Sequence, residues 1–148
     1  MTAPWLERVA SLLAAPSPAV LTTYRRDGSA LVSPVWFRFE PCAFEVVVAA
    51  ADVKLRHLRR EPRCGFLVFE TAPPFRGIEA HSRAELDELD VPPVRAAIAA
   101  RYLGAEAGAR FAEARSSVPG VVVRIPAATP RVWDLAAILP AEGPPASA

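Results

Sequence analysis

Apolar and polar positions change period several times along the chain, and each change marks an element. Trp5, Val9 and Leu12, with Leu6 and Leu13 beside them, recur at helical spacing. Thr2 is the expected N-cap, Pro4 suits the first turn, and Pro16 and Pro18 end this helix. From Ala19 the period shortens to two. "AVLTTYRRDGSALVSPVWFRFE" predicts two strands joined by the turn Arg26-Asp27-Gly28-Ser29, since Asp-Gly is a strong hairpin signal. On the second strand Leu31, Ser33, Val35, Phe37 and Phe39 share one face, and Val32, Pro34, Trp36 and Arg38 the other.

A turn around Glu40-Pro41-Cys42-Ala43 leads into "FEVVVAA", whose β-branched run predicts a third strand. Asp52 then caps a short helix, "VKLRHLRRE", with Leu55 and Leu58 facing inward and Pro62 just beyond its end. "RCGFLVFE" is a fourth strand and "APPF" a loop. "RGIEAHSRAEL" alternates strictly, Ile78, Ala80, Ser82, Ala84 and Leu86 against Glu79, His81, Arg83 and Glu85, and predicts one strand with a wet face. A helix opens at Asp90-Val91-Pro92-Pro93, runs through Val94, Ile98 and Tyr102 and stops at Gly104. "EAGARFAEAR" is a further helical piece, "VVVRI" a sixth strand and "RVWDL" a seventh.

Six or seven strands with short, hairpin-type links predict a mainly β (α+β) domain that closes into a small antiparallel barrel with a few flanking helices. The domain is expected over residues 1–139. The tail 140–148, "PAEGPPASA" from its first alanine-flanking proline, is expected to be disordered because it is rich in Pro and Ala and poor in large apolar groups.

Composition narrows the function classes. A chain of 148 residues is one domain's worth, and a net charge of +1 argues against nucleic acid or an anionic membrane as partner. "RHLRREPR" alone does not make a nucleic-acid interface. Glu7 and Arg8 interrupt the apolar start, so it does not read as a signal peptide, and no apolar run approaches about 18 residues. The expected location is cytoplasmic, with Cys42 and Cys64 reduced and buried. His57 and His81 are the only histidines, too few for a metal site, and no G-x-S-x-G, H-E-x-x-H or paired-carboxylate motif is present. Two residues ask for an explanation. Lys54 is the one lysine among 17 basic residues, and it stands where a helix begins, a place that favours anions. Pro34 cannot donate to a β-ladder, so it belongs at an edge, a bulge or a split in the sheet.

The segments "LTTYRRDGSALVSPVWF" (21–37), "VKLRHLRREPR" (53–63), "PPFRGIEAHSRAEL" (73–86), "ARYLG" (100–104) and "RVWDL" (131–135) occur in an order that resembles the pyridoxamine 5′-phosphate oxidase-like split β-barrel proteins. The likeness is to the branch that depends on FMN or F420. It implies a split β-barrel and a homodimer with two cofactor sites at the subunit interface. By position, Ser33, Pro34, Val35 and Trp36 would line the cofactor ring. Lys54 would hold the phosphate with Arg56 and His57 nearby, and Trp133 would be the aromatic supplied by the partner. A flavin or deazaflavin carries out hydride transfer at its own ring, which accords with the lack of a catalytic motif. The implied activity is an FMN- or F420-dependent oxidoreductase acting on a small organic substrate, with a slight lean to F420; the alternative is a carrier of FMN, F420 or haem without turnover. The chain departs from the family pattern at Asp52, His57, His81 and Ser82.

Overall fold

The computed structural model describes residues 3–141. Helix α1 (Pro4–Ala14) begins after Ala3 with no side-chain cap and buries Val9, Leu12 and Leu13; Thr2 lies outside the described residues, as do residues 142–148 of the expected tail. The strands pair in two antiparallel sheets. The larger runs in the order β2 (Ala30–Val35), β1 (Ala19–Tyr24), β5 (Arg63–Phe69), β6 (Gly77–Arg83), β9 (Arg131–Trp133). The smaller runs β3 (Arg38–Glu40), β4 (Ala43–Ala49), β8 (Gly120–Pro126), β7 (Glu85–Asp87). Helix α2 (Val53–Arg60) links β4 to β5, and α3 (Val91–Leu103) and α4 (Ala105–Ala114) fill the stretch between β7 and β8.

The mainly β, split-barrel reading holds, with nine strands among the described residues rather than six or seven. The difference has one cause. The two long strands expected over 30–39 and 77–86 each break and pass from one sheet to the other, the first at Trp36–Phe37 and the second at Ala84. Alternation of apolar and polar residues continues across both steps, so the period alone cannot reveal them. Pro34 sits just before the first step, on β2, which pairs only with β1, with Pro34 opposite Val20. An edge strand tolerates the missing N–H.

The interior between the sheets is aromatic. Phe37, Phe44 and Phe66 are fully buried, with ring centroids 4.7–6.0 Å apart, and α1 seats its apolar stripe among them. On the outer face of the smaller sheet, cross-strand neighbours alternate in sign: Arg38 opposite Glu45, Glu45 opposite Arg124, Arg124 opposite Glu85. Glu45 is buried between its two arginines, at 3.5 and 3.6 Å. Such opposed pairs favour this register over a slipped one. Cys64 is buried, and burial pushes its thiol up to about 11. Cys42 corrects the expectation of burial: it is exposed, at φ 64° in the β3–β4 turn.

Where the first strand breaks, its backbone groups lose their ladder partners. Two consecutive residues at the end of α3 replace them. The Phe37 N–H donates to Tyr102 Oη at 3.4 Å, and Arg101 Nε donates to the Phe37 carbonyl at 3.0 Å. The Arg101 guanidinium also donates to the carbonyls of Leu13, Ala14 and Ala15, the orphan acceptors at the end of α1. Tyr102 Oη donates to the Ser17 carbonyl at 2.9 Å. Arg101→Ala strands these acceptors together and is expected to cost about 2–4 kcal/mol in urea-induced unfolding. Tyr102→Phe keeps the ring, loses only the hydroxyl bonds, and is expected to cost about 1 kcal/mol.

Candidate functional site

Beside the break lies a cleft of about 310 Å³. Pro34, Val35 and Trp36 form one wall and the Val46–Ala49 stretch of β4 another; Asp52 and Lys54 come from the start of α2, Arg95 and Ile98 from α3, Phe111 and Arg115 from and just after α4. The Trp36 ring stacks on Tyr102, centroids 5.2 Å apart and planes 9° from parallel, and tilts against Phe111 at 5.4 Å. It stays 38% exposed, so its free surface is available to a ligand. The same four residues, Pro34, Val35, Trp36 and Phe111, also border a second, apolar groove of about 770 Å³.

Asp52 caps α2. Its Oδ1 accepts from the Lys54 N–H at 2.8 Å and its Oδ2 from Lys54 Nζ at 3.0 Å. Burial works to raise its pKa, but the bonds and charge of Lys54 outweigh it and hold the carboxyl below its usual range. The carboxylate that departs from the family pattern is therefore the helix cap, turned onto its own lysine. The Lys54 side chain is largely buried, 17% exposed, at the cleft wall. Arg95 is buried too, and its guanidinium donates to the carbonyls of Arg115 at 3.1 Å and Val118 at 3.0 Å. Neither Arg95 nor Arg115 has a carboxylate within 4.0 Å among the described residues. Three cations face one carboxylate. That donor set fits an anionic group such as a phosphate.

The structure brings Pro34, Val35, Trp36 and Lys54 together on the cleft and leaves the other expected site residues elsewhere. Ser33 precedes the lining stretch on β2. Arg56 is exposed on α2, outside the lining. His57 is the clearest correction: it points under α2 and pairs its Nδ1 with Thr23 Oγ1 at 2.9 Å, with 7% exposure. The Thr23 bond holds the ring on the β1 side of α2, where Leu55 and Leu58 are buried with it. Trp133 lies on β9, where its ring covers Gly77 so closely that a Cβ there would fall 2.0 Å from a ring carbon. Arg131 rests on its other side, 4.7 Å from the centroid. His81 is exposed and pairs with Glu79 at 3.2 Å. Arg95 and Arg115 were not singled out from the sequence. The one available signal was an arginine on the apolar side of the 91–103 helix, three residues before Ile98.

Residues 6–134 match the family model described as pyridoxamine 5′-phosphate oxidase. The chain belongs to this family. Among solved structures, it is similar to a conserved hypothetical protein of Mycobacterium tuberculosis (TM-score 0.79, 23% identity, covering 99% of this chain and 94% of that one). It is also similar to an F420 reductase (TM-score 0.68, 18% identity, 88% and 98% covered) and to HutZ, the haem storage protein of Vibrio cholerae (TM-score 0.67, 14% identity, 88% and 94% covered). These likenesses establish the fold. No curated protein matches the chain. Among the described residues no helix is long and apolar enough to cross a membrane, and no group of three or more His, Cys, Asp or Glu is placed to hold a metal ion.

His57 gives the α2 segment a pH dependence. Burial first, then the charges of Arg60, Arg25 and Arg56, hold its pKa below the usual value of about 6.5. The unfolded chain therefore binds the proton more readily than the folded one. Stability is fully present above about pH 6.5 and falls as the pH drops from there toward the lower folded pKa. Thermal unfolding of His57→Gln is expected to lose that part of the slope below pH 6.5 while the wild type keeps it.

Proposed function

We propose that this protein is an oxidoreductase that binds FMN or F420 and transfers hydride between that cofactor and a small organic substrate. The observation that supports it best is the placing of Lys54, largely buried and at a helix start, on a cleft that is also lined by Pro34, Val35 and Trp36 at the end of β2 and the break after it. In this reading Lys54 contacts the cofactor phosphate, with Asp52 holding the ammonium in position. Trp36 and the backbone of Pro34 and Val35 orient the ring and keep water from it. The bound cofactor supplies the redox chemistry at its own ring. The family match and the likeness to an F420 reductase favour the same class.

The site is completed in a homodimer. The outer face of the larger sheet is apolar near β2, with Pro34, Val20 and Leu67 in register across neighbouring strands; Val32, two residues before Pro34 on β2, is 61% exposed. The apolar groove beside Trp36 continues this surface up to the cleft. A second copy covering that face would close the cofactor between protomers and bring Trp133 of the partner within its reach. The homodimer and this placement of Trp133 both belong to the proposal.

The likeness to HutZ, the haem storage protein of Vibrio cholerae, favours a second reading, a carrier that binds a flavin, deazaflavin or haem without turnover.

FMN and F420 titrated separately against the purified protein, followed by fluorescence quenching, test the cofactor. At least one is expected to bind at micromolar concentration, and Lys54→Ala is expected to weaken it roughly tenfold or more, the worth of one charge-assisted hydrogen bond. Absence of binding by both overturns the assignment. Rapid mixing of the reduced, bound cofactor with candidate acceptors then separates enzyme from carrier: oxidation that depends on the acceptor supports the enzyme.

A further inference from the structure

Lys54 has its counter-charge in Asp52, but the two arginines of the same cleft have none. Arg95 is 8% exposed and its guanidinium bonds only to carbonyls, those of Arg115 and Val118. Carbonyls satisfy N–H groups without neutralising charge, so a buried guanidinium held this way still lacks a counter-ion. Burial and the neighbouring Arg115 charge both disfavour its protonated form. A guanidinium serving only to tie down the loop after α4 would gain nothing from a second arginine nearby. The chain has instead made room for it: a Cβ on Gly120 would lie 2.5 Å from Arg95 Nη2. Arg95 also borders a second cavity of about 460 Å³, which Ser116 and Ser117 help to line.

We propose that Arg95 and Arg115 form a second oxyanion subsite of the cleft, which takes a carboxylate or phosphate group other than the one held at Lys54. Guanidinium groups suit this task because they present paired donors that match the oxygens of either anion. The second group belongs either to a separate, anionic substrate or to a distant acidic part of the cofactor itself. The proposal deepens the cofactor reading, but the subsite rests on the arginine pair and can be tested with the cofactor absent.

The probe is inorganic phosphate, titrated by calorimetry at constant ionic strength into the wild type, Lys54→Met and Arg115→Met. Arg115 is exposed, so its replacement leaves the fold intact, whereas Arg95→Met risks unfolding and is supplementary. The expected result is phosphate binding that survives Lys54→Met and weakens about tenfold or more in Arg115→Met. Repeating the titration with FMN or F420 already bound assigns the source. Phosphate binding retained beside both cofactors points to a separate anionic substrate, and binding displaced by F420 alone points to the cofactor's own acidic tail. The proposal is overturned by phosphate binding that Lys54→Met abolishes and Arg115→Met leaves unchanged, by loss of all phosphate binding once FMN is bound, or by no phosphate binding in the wild type. Should neither cofactor bind while the Arg115→Met loss persists, the cofactor reading fails and the subsite stands. The reverse pattern, cofactor binding with no Arg115→Met effect on phosphate, leaves the cofactor reading intact and removes the subsite.

Discussion

The backbone of Phe37 is held from both sides by the end of α3, its N–H by Tyr102 and its carbonyl by Arg101. Most backbone groups of this chain find partners in a β-ladder, but these two cannot, because the chain is leaving one sheet for the other. A buried peptide group without partners would be costly enough to close the split or unfold its edge. Arg101 and Tyr102 remove that cost, and they also fix where α1 ends and how Trp36 lies, since Trp36 stacks on the Tyr102 ring. The cleft exists beside β2 because the split is stable there. Its shape follows from that clamp, and its charge from Lys54, Arg95 and Arg115.

The cleft's two kinds of cation differ in their surroundings. Lys54 and Asp52 form a local pair, the cap of α2 with a residue of its first turn, and the pair costs little to assemble because its members are two residues apart. Arg95 and Arg115 stand on different segments, separated by α4, and are brought together by the packing of α4 on α3. That packing is tight at one point: a Cβ on Gly108 would come within 2.7 Å of the Ala100 backbone. The helix pair thus carries the unneutralised part of the cleft's charge, while α2 carries the neutralised part.

Local signals in the sequence were readable wherever the interaction itself was local. Asp27-Gly28 specified the first hairpin, where Asp27 accepts from both the N–H and the hydroxyl of Ser29. Asp52 specified the α2 cap, and Pro34 marked the strand that ends up with a free edge. The strand breaks at Trp36 and Ala84 were hidden because side-chain alternation runs on through a corner while hydrogen-bond partners change. The family position of His57 beside Lys54 does not reveal its partner, because Thr23 is 34 residues away on β1. The contacts of Arg95 and Arg101 are hidden for a different reason: their partners, at Val118, Phe37 and Leu13, lie up to 88 residues away or in a loop with no motif.

The three tryptophans allow the central claim to be tested in one spectrum. Trp5 packs in the core against Phe39, Trp36 lines the cleft and Trp133 covers Gly77. In a ¹⁵N-labelled sample their indole N–H resonances report separately as FMN or F420 is added. The account predicts that Trp36 shifts with the binding isotherm while Trp5 stays still. A saturating cofactor that leaves Trp36 unmoved would contradict it.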